Sequence, residues 1–202
     1  NIMVYPFTDS QILGISTFPY SLKDFFLEGT QQVSASWITL ENLSFPYCIS
    51  INSSYIYEQS TDERINQNDA AITLAHELGH YLGLRHVFSE GGTTSMCTDT
   101  DYCKDTPSYN RSEYEQWLNN LDKQNKYQLK DLAKRYSCEK GEYEAHNIMD
   151  YAYCFYNEIT LEQRKRIRHI LNYSPLIPGP KESRIDTRGV QDRLNLPICI
   201  MK

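Results

Sequence analysis

The chain has 202 residues, 40% of them hydrophobic and 12% aromatic, a composition that suits one sizeable globular core and excludes a disordered chain. A formal net charge of -6 argues against a nucleic-acid footprint, and no apolar run reaches the roughly 18 residues that span a bilayer. Six cysteines without CxxC spacing fit disulfides in an oxidising compartment better than a cysteine metal site, so the chain reads as extracytosolic, secreted or on a cell surface.

The start, NIMVYPFTDS, has neither a basic n-region nor a cleavable apolar core, so any export signal or lipid anchor is expected outside this sequence. MVYPF (3–7), ILGIST (12–17) and CISINSSYIY (48–57) are rich in β-formers and bounded by turn residues, which predicts three strands of one sheet. YSLKDFFLE (20–28) reads as a short helix between the second strand and the third. Asn68 or Asp69 can cap a helix running to about Leu82, where Gly83 supplies a left-handed stop. An irregular loop follows, over residues 91–110. Ser112 with Glu115 forms a capping box ahead of Tyr114, Trp117, Leu118 and Leu121, and a second helical stripe runs Leu129, Leu132, Ala133, Tyr136. Thr160 with Gln163 opens a last helix through about Asn172, on which Arg164 to Arg168 and His169 read as solvated.

Three of the five histidines fall in HELGHYLGLRH, residues 76–86. At about 100° per residue, Ala71, Leu74, Ala75, Leu78 and Leu82 share one arc and are expected to pack, while His76 and His80 project together from the other side. Gly83 lets the chain double back and bring His86 to the same point, because glycine takes φ > 0 at little cost. Three neutral imidazoles leave the fourth position of a tetrahedral zinc open, as a catalytic site requires. Glu77, a quarter turn from His76, can reach a molecule held there without being a ligand itself. Two histidines at i, i+4 are commonplace, but the added glycine and third histidine reduce the chance expectation to on the order of 1 in 10⁵.

The motif HELGHYLGLRH resembles the signature of metzincin zinc peptidases, and NIMDY (147–151) is similar to their methionine turn. With the acidic loop ending in DTP (105–107) and HNIMDY (146–151), the match over about residues 74–156 resembles the pappalysin family and its ulilysin-like bacterial members. The resemblance implies an α+β, two-lobed fold in a single catalytic domain: a twisted mixed sheet plus the active-site helix (1–83) above an irregular helical lobe (84–202). It implies zinc on His76, His80 and His86, Glu77 as general base, Met149 as the floor under the metal and Tyr151 as a hydrogen-bond donor in the transition state. The expected activity is hydrolysis of protein or peptide substrates, and the alternative is a metal-bearing adhesion or binding module that has lost turnover. Glu77 favours the enzyme, since binding alone does not need it.

The same resemblance implies disulfides Cys97 to Cys138 and Cys103 to Cys154, leaving Cys48 and Cys199 as a pair between the upper lobe and the tail. It also raises Asp99, Asp101 and Asp105 as a calcium loop, although their spacing is not that of an EF-hand. His146 is expected to fix the turn by hydrogen bonds. Three departures from the family pattern stand out. Residues 108–145 carry two helical stripes where the family has mostly loop, so a remodelled cleft wall is expected. After Tyr151 the chain runs Ala-Tyr-Cys without the family's aspartates, so preference for a basic residue after the scissile bond does not carry over. The chain also begins near what would be a middle strand of the upper sheet, so an N-terminal segment is expected to precede it.

Overall fold

A computed structural model describes residues 1–43, 47–89, 100–122, 125–137 and 139–178. Three of its strands form a mixed sheet in the order β1-β5-β2: β1 (Ile2–Tyr5) lies parallel to β5 (Ile49–Asn52), and β2 (Gly14–Ser16) lies antiparallel on its other side. Every residue of the central strand β5 is buried, so Ile49 and Ile51 each contribute about 1.5–3 kcal/mol of burial. The expected third strand ends early because the Asn52 side chain accepts from Ser54 N and starts a 3-10 turn over Ser53–Tyr55.

The predicted helix over 20–28 is not formed. Tyr20–Leu22 is a strand, β3, paired in parallel with β4 (Gln31–Val33), and only Lys23–Phe25 turns, as a 3-10 segment whose N-cap residue Leu22 offers no side-chain acceptor. Pro19 holds Phe18, the residue before it, to extended backbone.

The helix α1 (Ala70–Tyr81) starts at Asp69 as expected and packs on β2 and β5. Its buried face is the reverse of the predicted one: Thr73, His76, Glu77 and Gly79 are buried, whereas Ala71 and Leu78 are exposed. The polar side is covered because β2 lies against Thr73 and Glu77, and the methionine segment lies against Gly79. Gly83 then takes φ +87, the left-handed stop read from the sequence.

Beyond the loop, α2 (Arg111–Asn119) begins two residues earlier than the Ser112 box implies, because Asn110 is the cap and its Oδ1 accepts from Glu113 N. The second helical stripe is only one turn, α3 (Leu129–Leu132), followed by the hairpin β6 (Lys134–Ser137) and β7 (Gly141–Glu144). Tyr136 therefore sits on a strand, largely exposed, rather than in a helical core. The last helix, α4 (Leu161–Tyr173), has the reciprocal Thr160–Gln163 capping box that its sequence predicts. It is less solvated than expected. Arg166 is 5% exposed and donates to the carbonyls of Gly83 and Glu28, and His169 Nε2 lies 2.9 Å from Phe25 O.

Candidate metal centre and cleft

The backbone reversal at Gly83 brings His86 back to α1, and Arg166 holds that reversal from α4 with two bonds to the Gly83 carbonyl. The Nε2 atoms of His76, His80 and His86 then lie 3.0–3.2 Å from one another. The other ring nitrogens of the α1 pair are anchored: His76 Nδ1 sits 2.8 Å from Ile148 O and His80 Nδ1 sits 2.9 Å from Leu84 O. A carbonyl only accepts, so Nδ1 carries the proton in both rings and the two Nε2 lone pairs face inward. Burial first, then the neighbouring His80 and His86, pushes the His76 pKa down to about 3, so its ring is neutral at pH 7. Mutually facing imidazole acceptors need a cation between them, and an all-nitrogen set of three suits zinc. Among the described residues no other group of His, Cys, Asp or Glu converges in this way.

Glu77 is 8% exposed and does not join the three imidazoles. Burial pushes its carboxyl up to about 7, and a cation held by the histidines acts in the opposite direction. Strand β2 passes directly over it. A Cβ on Gly14 would lie 2.6 Å from Glu77 Cγ, so the close approach needs a residue without a side chain.

Met149 is fully buried with Leu84, Val87, Phe88 and Tyr109, and its sulfur occupies the space that a side chain at Gly79 would take. Tyr151 stands at the rim, 38% exposed, with its ring 4.5 Å from that of His86 and 4.9 Å from that of Phe88. Arg111, from the start of α2, lies 4.6 Å above the Tyr151 ring and donates to Glu115 at 2.6 Å. The residues between Pro107 and His146 thus do form one wall of the cleft.

What fixes the Tyr151 segment is not the expected disulfide. Cys103 and Cys154 are separate buried thiols: Cys103 Sγ lies 3.6 Å from Asp101 O, whereas Cys154 Sγ lies 3.3 Å from Asn147 O in a cluster with Leu129, Ala133 and Ala145. Burial pushes both thiols up to about 12. Cys97, Cys138 and Cys199 lie outside the described residues; Cys48 is buried, its sulfur 3.4 Å from Met3 Sδ. The segment is held instead by Arg135 of β6, whose side chain is wholly buried. Its guanidinium donates to the carbonyls of Leu132, Tyr151 and Ala152, lies 3.7 Å from the Tyr114 ring centre and pairs with Asp150 at 3.4 Å. Asp150 also accepts from the Tyr109 hydroxyl and from Tyr151 N, at 2.6 and 2.7 Å. Neither Arg135 nor Arg166 was singled out from the sequence; two tyrosines and an aspartate within reach of an arginine is a tertiary pattern with no local spacing.

The His146 side chain reaches Asn157, with Nδ1 3.0 Å from Asn157 Oδ1, and the turn itself is closed by Asn147, whose Oδ1 accepts from Met149 N. The aspartates of the acidic loop do not assemble a calcium site among the described residues. Asp101 accepts from Cys103 N and Thr106 Oγ1, Asp105 accepts from Glu162 N, and Asp99 lies outside the described residues. No helix among the described residues is long and apolar enough to cross a membrane.

Known proteins have sequences similar to part of this chain. An extracellular metalloprotease of Arthroderma benhamiae is 37% identical over 108 residues, covering 52% of this chain and 32% of that protein. The protein of the same name from Arthroderma otae is also 37% identical over 108 residues, covering 52% of this chain and 33% of its own length. The chain thus spans about a third of the length of these curated relatives, which are fungal, and the bacterial source implied by the resemblance has no support. Among solved structures, mature mirolysin of Tannerella forsythia in complex with a cleaved peptide covers 85% of this chain and 52% of that one, at 21% identity and a TM-score of 0.45. A family model described as pregnancy-associated plasma protein-A matches residues 37–172, a stretch that contains all three histidines, Glu77 and the methionine turn. The chain therefore belongs to the pregnancy-associated plasma protein-A family of peptidases.

Proposed function

We propose that residues 1–202 are the catalytic domain of an extracellular zinc endopeptidase, with His76, His80 and His86 as metal ligands, Glu77 as general base and Tyr151 as transition-state donor. The observation that carries this reading is the convergence of three Nε2 atoms beside a buried glutamate that is not one of them. The family match and the extracellular relatives support it. Zinc in the histidine cluster supplies a Lewis acid that acidifies a water molecule and polarises a peptide carbonyl.

The chain's own groups supply the rest. Glu77 takes the proton of the attacking water and delivers it to the leaving amine. The Tyr151 hydroxyl donates to the carbonyl oxygen as negative charge builds on it. Strand β2 lies at an edge of the three-stranded sheet and runs over Glu77, so its outer backbone groups can align an extended peptide beside the base. Asp150 and Arg135 orient the backbone that carries Tyr151.

Glu77→Ala tests the assignment. The variant is expected to keep one zinc per chain by elemental analysis while kcat on a peptide substrate falls by about 10²- to 10⁴-fold. Full activity in that variant would remove Glu77 from the mechanism.

A further inference from the structure

We propose that the cavity beside Glu77 receives a bulky, uncharged side chain, best an aromatic one, from the substrate residue that follows the scissile bond. The inference rests on the peptidase reading. Because Glu77 hands its proton to the leaving amine, the residue bearing that amine lies on the Glu77 side of the histidine cluster. A cavity of about 410 Å³ opens there, and its lining includes His76 and Glu77 but neither His80 nor His86. That volume lies within the range of about 300–1,000 Å³ that ligand pockets occupy, so the largest side chains fit.

Its walls are Ile12 and Leu13 ahead of β2, Ile72 of α1, and Tyr114 and Leu118 of α2, with Tyr156 behind them. The α2 side belongs to the stretch in which this chain departs from the family pattern. Charge in the lining is internally matched. Arg111 donates to Glu115 at 2.6 Å, and Asp150 is buried under the Tyr109 hydroxyl, the Tyr151 N–H and the Arg135 guanidinium. Glu77 is committed to the reaction. An entering lysine, arginine, aspartate or glutamate would bury its charge against groups that already have counter-ions, which is costly, whereas an aromatic side chain meets apolar and aromatic walls.

The test uses the zinc-loaded protein and peptides that differ only after the scissile bond: Tyr, Phe, Leu, Arg or Glu. The Tyr, Phe and Leu peptides are expected to exceed the Arg and Glu peptides by at least about 10²-fold in kcat/KM. Arg111→Gln, which releases Glu115, should raise the Arg-to-Phe ratio by about tenfold. Calorimetric binding of the same peptides to zinc-loaded Glu77→Ala gives the order of affinities without turnover.

A preference for Arg or Glu in both measurements would overturn the proposal. Tight binding selective for the aromatic peptides with no cleavage of any peptide would keep the pocket and reject the peptidase reading. Cleavage led by Arg would do the reverse.

Discussion

The N–H of His76 Nδ1 donates to the Ile148 carbonyl, so the residue before Met149 fixes a ring that belongs to α1. One residue further on, Met149 fills the space left open by Gly79, and two residues beyond that Tyr151 leans on His86. His76 and Met149 are therefore set by a segment from another part of the chain, whereas His80 is held locally by the Leu84 carbonyl. Tyr151 is the member whose role is easiest to separate from packing, because Tyr151→Phe keeps the ring against His86, Phe88 and Arg111 and removes only the hydroxyl. A transition-state donor predicts a fall in kcat of about 10²-fold with KM nearly unchanged, read from steady-state kinetics on one peptide. An unchanged kcat would reduce Tyr151 to a packing residue.

Among the elements, the hairpin β6–β7 was unreadable in advance, and Arg135 explains why its loss would matter. The stripe Leu129, Leu132, Ala133, Tyr136 satisfies a helical period, yet the chain turns to strand at Lys134 because Arg135 is drawn under Tyr114 to pair with Asp150. Tertiary pairing overrides local periodicity there. Replacing the arginine by methionine keeps much of the volume but strands a buried carboxylate, so Arg135→Met should lower the unfolding free energy by about 3–5 kcal/mol in denaturant titration. A loss under about 1 kcal/mol would mean that Asp150 is neutralised by other means. Helices with strong local signals were legible: α4 carries its own capping box, and α1 carries both its glycine stop and the i, i+4 histidines. Which face of α1 is buried was not legible. The apolar stripe faces outward over Ala71 and Leu78 because β2 and the methionine segment claim the polar side, and no periodicity argument contains that competition.

At the scale of the molecule, three modest clusters among the described residues do the work of one large core: one joins α4 to the segment before β5, one holds Met149 and Phe88 beside His86, and one surrounds Cys154. The histidine set was legible from spacing, since the three converging histidines fall within eleven residues. The arginine anchors were not, because Arg166 reaches Gly83 across 83 positions and Arg135 reaches Ala152 across 17. Nor did cysteine spacing reveal that Cys103 and Cys154 stay apart, since pairing depends on where the loops settle. On the proposed reading, a metal held by His76, His80 and His86 would tie α1 to the chain beyond Gly83, and its removal should abolish turnover. Stripping the purified protein with a chelator, removing the chelator, and titrating zinc back while following cleavage of a peptide tests this most directly. The expected result is no cleavage in the metal-free protein and a linear recovery that saturates at one zinc per chain. Cleavage that persists without metal, or fails to return at one equivalent, would contradict the account.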